Sequence, residues 1–376
     1  MAVEDNFDAR SVSSFPSDIA HPPSSRGDLD PQDPTFKASG KKLPTEYLQD
    51  ELRKVLSDHK IDRDEKSANS RKFESLKNGL LTEMERLDPL FKLLHHDVKM
   101  DGSVKKKLKV SNADEYDLNM CFDLDKLVPG VKPKIVEGEG FAGFFSIYFE
   151  TGEWKWPKNI APKRKVYKSI FETQGPRVYL RADGLRCWAQ GLVHRSLNEL
   201  KREEGNQGMA DGVEVSYESF KETRSGPAIT LVGDGFSVDL VPAFIIRGHE
   251  ACPGNEKFYD IPDVDPHDVK SKLEEWYLVP VPPRLAPPKS EEEARNRNPK
   301  DHRHLFRGNF RAFEDFLLDN MACLKNVIRL LKIMRNDNGW KMISSYALVN
   351  LSIDCSRPSK NLDKEVDLFI PVRTKF

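Results

Sequence analysis

The chain has 376 residues, and its 59 basic and 60 acidic side chains leave a formal net charge of -1 at pH 7. That balance excludes overall charge as a basis for polyanion binding, so any such attraction must come from local patches. The five cysteines, at 121, 187, 252, 323 and 355, are odd in number and contain no close pair, which argues against a disulfide framework and a paired-thiol zinc site.

A reducing, cytoplasmic setting fits that cysteine usage. No apolar run approaches the roughly 20 residues of a membrane span, and the acidic N-terminus lacks a basic segment leading into an apolar signal core. Residues 1–43 are rich in Ser, Pro, Asp and Gly with no periodic apolar positions, so a disordered tail is expected there. From Thr45 onward, Leu48, Leu52, Val55 and Leu56, then Phe73, Leu76, Leu80, Met84 and Leu87, recur at helical spacing and predict one or two long amphipathic helices. Strand-like alternation follows in 115–124, 141–149, 213–220, 228–232 and 236–246, punctuated by glycine and proline turns, which predicts a mixed, mainly antiparallel sheet. A Pro-rich linker, "VPVPPRLAPP", and a polar stretch then precede a helical segment. Here Leu324, Val327, Ile328 and Leu331 form an apolar stripe, and Lys325, Arg329 and Lys332 form a basic one.

Within the first predicted strand, Glu115 and Asp117 are two apart and share a face, while Tyr116 and Leu118 point the other way. Two such carboxylates repel and are costly to bury without a cation, which makes an oxygen-ligated divalent metal, magnesium first, the natural resolution. Taken alone, the pair is more often a solvent-facing edge strand. Upstream, Gly102-Ser103 offers backbone N–H groups and a hydroxyl suited to phosphate oxygens, although an isolated Gly-Ser is also an ordinary turn. A third acid, Asp239, lies in "GDGFSVDLVPAFII", with Phe236, Val238 and Leu240 facing one side and Asp239 the other. Three carboxylates around two metal ions can position a nucleoside triphosphate and activate an attacking sugar hydroxyl.

Gly-Ser, an acid-X-Asp strand and a later "SVD" acid, in that order, resemble the nucleotidyltransferases related to cyclic GMP-AMP synthase, and the chain is identified here as similar to the cyclic GMP-AMP synthase-like receptors. "GPAITLVGDGFSVDLVPAF" with "WYLVPVPP", then "LFRGNF", "CLKNVIRLLKIM" and "ISSYAL", carry the likeness through about residues 70–350. The resemblance implies an α+β, bilobal nucleotidyltransferase fold: a mixed twisted β-sheet with a long N-terminal spine helix, plus a helical C-terminal lobe. The implied division is a tail at 1–43, the spine helix and core at 44–288 and the helical lobe at 289–376. It further implies that Glu115, Asp117 and Asp239 bind Mg2+ or Mn2+ and that Gly102 and Ser103 meet the triphosphate. Arg307, Ser345 and Tyr346 would contact nucleotides, with Lys325 on the basic nucleotide-side helix and Ile328 where relatives often carry lysine.

The same likeness implies ATP and GTP as substrates, a cyclic dinucleotide product in innate antiviral sensing, and activation by a polynucleotide. Expected contacts for that activator are Arg71, Lys72 and Lys77 on the long helix, together with Lys158, Lys163, Arg164, Lys165 and Lys168; Lys201 and Arg202 are further candidates. The vertebrate DNA-clamping enzyme of this family carries a His-Cys-Cys-Cys zinc ribbon before the "CLK" helix, whereas "EDFLLDNMACLKN" passes that point with only Cys323. No structural zinc is therefore expected, His302 and His304 are read as an exposed basic linker, and double-stranded RNA is the expected activator. A ligand-templated dimer fits that mode of sensing. The segment after the Ser-Tyr motif is short and contains Pro358 and Pro371, so an atypically short lobe is expected. The competing readings are a non-catalytic scaffold of the same fold and a linear oligoadenylate-type synthase.

Overall fold

The computed structural model describes residues 45–59, 63–110, 115–139, 141–202, 207–210, 213–225, 228–233, 235–248, 265–281, 302–320, 324–340 and 343–356. The described residues fall in one unit, Thr45–Phe376. The expected tail at 1–43 and the expected boundary at 288 lie outside them.

The architecture is organised by two strands, β2 (Glu115–Asp123) and β11 (Phe236–Arg247), which pair in parallel with Asp117 opposite Asp239 and Leu118 opposite Leu240. Both alternate. Tyr116, Leu118, Met120 and Phe122, with Phe236, Val238, Leu240 and Phe244, enter one core, while the odd-numbered positions take the other face. β1 (His95–Asp101) forms an antiparallel edge on β2.

Along its other side β11 changes partner. Its first half pairs with β10 (Ala228–Gly233), which carries β9 (Lys221–Ser225), and its last residues pair with β12 (Glu275–Val279). Pro242 sits between those two ladders, at a position where a residue without an N–H interrupts neither of them. The sheet continues through β13 (Leu305–Asn309), β4 (Phe141–Glu150), β6 (Arg177–Leu180) and β5 (Phe171–Gln174), with β3 (Lys134–Gly138) on β4, to give eleven strands. Apart from β2 with β11, the described pairs are antiparallel, as the turn-rich alternation predicts. A separate hairpin of β7 (Gln207–Ala210) and β8 (Val213–Ser216) stands where a longer strand over 213–220 was expected, because a single helical turn at Tyr217–Ser219 ends it.

The core face is covered by α2 (Arg63–Leu87), α3 (Pro89–Leu94) and α5 (Ala182–Arg202). Phe73, Leu76, Leu80 and Met84 descend one side of α2 and are fully buried. α5 is not among the sequence-predicted elements, although Leu185, Trp188, Ala189, Leu192, Val193 and Leu197 form a plain helical stripe. Asp88 joins these helices: it caps α3 by accepting from Leu90 N and Phe91 N, and it also accepts from Tyr167 Oη at 3.1 Å and Trp188 Nε1 at 3.0 Å.

A second core gathers α1 (Thr45–Asp58), α6 (Pro266–Lys272), α7 (Arg311–Asn320), α8 (Leu324–Asp337) and α9 (Ser345–Ser356). The expected stripe Leu324, Val327, Ile328 and Leu331 is its centre. Leu108 and Val110, beyond the short turn α4 (Gly102–Lys105), insert into it from the sheet side. The fold is thus α+β, a mixed sheet with its long helix beside a helical lobe. Among the described residues no helix is long and apolar enough to cross a membrane.

One expectation changes here. His304 is buried rather than exposed, because the β13 pairing with β4 carries it inward; its ring meets Gln174 Nε2 at 3.1 Å and Leu180 O at 3.3 Å. Burial pushes its pKa below the ordinary histidine value, and His302 packs against the Phe141 ring. Within the basic stripe of α8, Lys332 is buried, at 4% exposure, whereas Lys325 and Arg329 are half-buried.

Candidate active site

Parallel pairing sets the site. Residues directly opposite in a parallel ladder lie side by side about 4.8 Å apart on one face, so Asp239 stands beside Asp117, and Glu115 stands beside Ser237. On the other flank the β1 register brings Asp101 against Asp117, adding a fourth carboxylate.

Asp101 also accepts the Gly102 N–H at 2.8 Å and so turns the chain into α4. Gly102 takes φ +70°, and a Cβ at that position would lie 1.6 Å from Asp117 Oδ2. Glycine is therefore required twice, for the left-handed backbone and for the close approach to the carboxylate. Ser103 follows at once, and its Oγ accepts from Lys332 Nζ at 2.8 Å; the same ammonium donates to Leu108 O at 2.9 Å.

The electrostatics are those of a crowded anionic face. Burial, then Glu115, Asp239 and Asp101, push Asp117 up to about 6. Burial also raises Asp239, against the hydrogen bond that Thr230 Oγ1 donates to its Oδ1, with Glu115 adding repulsion. Glu115 itself leans outward, 55% exposed, to meet Lys109 Nζ at 3.0 Å. Opposite this negative face, burial and then Arg335 hold Lys332 down to about 8.

Two cavities flank Asp117. One, of about 260 Å³, is lined by Gly102, Ser103, Glu115, Asp117, Lys332 and Ser345 among others. The second, of about 220 Å³, has Leu118, Asn119, Val241, Val279, Arg307 and Asn309 in its walls. Gly102, Lys106, Asp117 and Glu314 belong to both, and Lys106 bridges Glu314 at 2.5 Å and Asp101 at 3.5 Å to form the partition. A larger cavity, about 640 Å³, lies on α5 beside Cys187, His194 and Lys201 and contains none of these acids.

The donor set suits a hard divalent cation, since it is anionic, all oxygen and mutually repulsive. Its side chains are nonetheless parted, with Glu115 on Lys109 and Asp239 on Thr230. Among the described residues no group of three or more His, Cys, Asp or Glu is gathered tightly enough to hold a metal ion as it stands. Lys109 engages Glu115 through Oε2, which leaves its second carboxylate oxygen outside that contact.

The structure thus brings together Glu115, Asp117, Asp239, Gly102, Ser103, Arg307 and Ser345. Tyr346 follows Ser345 in the first turn of α9. Lys325 does not join them: it pairs with Asp319 and is absent from both cavity walls. Ile328 is buried in the helical core, and the lysine that reaches Ser103 is Lys332, one turn further along α8. Sequence reading places Lys332 on the basic stripe without singling it out, and it passes over Asp101, Lys106 and Thr230. Asp101 alone carried a local signal, as the residue immediately before Gly102.

Of the expected polynucleotide contacts, Lys158, Lys163, Arg164, Lys165 and Lys168 are all exposed in the segment between β4 and β5, and Lys155 joins them. That segment is pinned underneath by Tyr167 on Asp88. Arg71, Lys72 and Lys77 are half-buried on α2; Lys77 pairs with Glu74 and lies 5.9 Å over the Phe73 ring. Lys201 donates to Phe220 O, and Arg202 pairs with Glu199.

No family model matches the chain. It is 25% identical over 296 residues to a cyclic GMP-AMP synthase-like receptor of Microplitis demolitor, covering 77% of this chain and 50% of that protein. A protein of the same name from Aethina tumida is 25% identical over 292 residues, 76% of this chain and 64% of the other. One from Trichogramma pretiosum is 25% identical over 345 residues, 87% and 62% respectively. The chain therefore spans between half and two thirds of the length of these curated relatives. By these matches the chain is similar to the cyclic GMP-AMP synthase-like receptors, and its α+β arrangement of mixed sheet and helical lobe is compatible with that likeness.

Proposed function

We propose that this protein is a nucleotidyltransferase of innate immune sensing that, on binding double-stranded RNA, joins ATP and GTP into a cyclic dinucleotide. The observation that carries the reading is the parallel register that sets Asp239 beside Asp117, with Gly102 and Ser103 folded against the same carboxylate. A scaffold has no use for carboxylates held where they repel.

In this reading Glu115, Asp117 and Asp239 hold Mg2+ or Mn2+. When bound, the cations neutralise the polyphosphate and make an attacking sugar hydroxyl more acidic. Ser103 and Lys332 receive the polyphosphate of the nucleotide; an arriving anion favours the charged ammonium of Lys332, which burial otherwise disfavours. Asp239 Oδ1 is engaged by Thr230, so Oδ2 is the oxygen that faces a ligand or takes up a hydroxyl proton. Arg307 and Asn309, over the apolar floor of Val241 and Val279, orient a base, and Ser345 lines the neighbouring cavity. The exposed cations at 155–168 track duplex phosphates, and binding there should weaken steeply with salt.

The competing reading, a non-catalytic scaffold of the same fold, predicts no turnover at all. The deciding experiment incubates the full chain with Mg2+ or Mn2+ and all four nucleoside triphosphates, with RNA duplex, DNA duplex or neither, and identifies products by mass and nuclease sensitivity. A cyclic dinucleotide formed only with RNA supports the proposal. Activation by DNA alone removes the RNA assignment, linear oligoadenylate changes the reaction, and no product under any condition favours the scaffold.

A further inference from the structure

Helix α8 reaches both walls of the cavity beside Asp117. Lys332 donates to Ser103 Oγ on the sheet side. One turn later, Arg335 donates from Nη1 to Ser345 Oγ at 3.1 Å and to Ile343 O at 3.3 Å on the α9 side. The guanidinium is braced from behind, since Asn336 Oδ1 accepts from its Nε at 3.1 Å and its Nη2 at 2.8 Å. The α9 terminus is fixed independently by Ser344, whose Oγ accepts the Ala347 N–H.

A serine hydroxyl has one proton and two lone pairs. Where a cation donates to the oxygen, a lone pair is filled and the proton remains to be given away. Ser103 and Ser345 are both in this state, and both line the same cavity. Arg335 is not among the residues lining that cavity, so its influence passes through Ser345.

We propose that Arg335 is a positioning residue for the polyphosphate side of the site, orienting the Ser345 hydroxyl as a donor to an anionic oxygen of the bound nucleotide, in the way Lys332 orients Ser103. This rests on the nucleotidyltransferase reading and names a residue that reading does not use. Asn336, locked to Arg335, keeps the planar fork aimed at α9, so lysine cannot replace it without loss.

Calorimetric titration of the full chain with ATP, and separately with inorganic tripolyphosphate, each in excess Mg2+, tests it through a double-mutant cycle. Ser345→Ala and Arg335→Met should each weaken both ligands by about tenfold, the scale of one charge-oriented hydrogen bond, and the double variant should be no weaker than the poorer single. Losses that multiply to about a hundredfold would mean that Arg335 acts apart from Ser345, as a merely structural residue would, and would overturn the proposal. Arg335→Gln keeps a neutral donor and guards against misfolding of the methionine variant; it should fall between wild type and Arg335→Met. Wild-type affinity in both Arg335 variants sinks the positioning role alone. Failure of the wild-type chain to bind either ligand sinks the nucleotide reading and this role together.

Discussion

Asp117 and Asp239 are direct partners in the parallel pairing of β2 and β11, although 121 intervening residues separate them in the chain. Burial, then Glu115 and Asp239, raises the pKa of Asp117, and burial with Glu115 raises that of Asp239, so this anionic face is electrostatically strained. Replacing Asp117 with Asn should raise the metal-free melting temperature by about 1–2 °C, what roughly 1 kcal/mol of relieved repulsion does for a chain of this size. The same variant should lose the stabilisation that Mg2+ confers on wild type and reduce product formation by at least about two orders of magnitude. Differential scanning fluorimetry with and without Mg2+, beside product assays, checks both parts; an unchanged Mg2+ response in Asp117→Asn would remove the acid from the metal site.

Gly102 should tolerate no side chain. An alanine there meets Asp117 Oδ2 and must also hold φ +70°. We expect Gly102→Ala to destabilise by about 1–3 kcal/mol and to abolish tight triphosphate binding. Urea unfolding and nucleotide titration measure the two effects; near-wild-type values for both would show that the turn opens without cost.

Asp88 satisfies two helix N–H groups, a phenol and an indole from one buried carboxylate. Asp88→Ala leaves those donors unpaired and should cost about 2–4 kcal/mol, more than a surface cap would. Because Tyr167 is among the released donors, limited trypsin digestion should cut the basic segment at 155–168 faster in the variant. Unchanged cleavage there would show that the segment is held by other contacts.

Charge reversal at Lys163, Arg164 and Lys165 tests the polyanion surface separately from the chemistry. Each lost phosphate contact should shallow the salt dependence of duplex RNA affinity by about one unit of logarithmic slope. ATP affinity should be unchanged. An unaltered RNA slope would place the activator surface elsewhere.

His304 contributes a pH dependence of its own. Its folded pKa lies below the unfolded value, so between the two the unfolded chain binds more protons and stability rises with pH, then levels off above the unfolded value near 6.5. The groups that face it are Glu172, Arg303, Arg181, Gln174 and Tyr179. On acidification from about pH 7 to about pH 5, wild type should lose more stability than His304→Asn, followed by denaturant midpoints. Equal losses would mean that the ring accepts its proton without penalty.

Period-two alternation in the sequence was enough to place Glu115 and Asp117 on one face of a strand and Asp239 on the polar face of another, because side-chain direction in a strand is local. Helical spacing likewise put Leu324, Val327, Ile328 and Leu331 in one buried stripe. What no local pattern contains is register between distant segments. That Asp239 lands beside Asp117, that Asp101 closes the other flank and that Lys332 rather than Lys325 reaches Ser103 depend on which strands pair and on the rotation of α8 against the sheet. The same holds for His304, a polar residue in a polar stretch until β13 pairs with β4 and buries it. Sequence by itself determined the chemistry available to the site. Tertiary structure decided which groups meet, because strand pairing and helix packing are set by burial summed over the whole core.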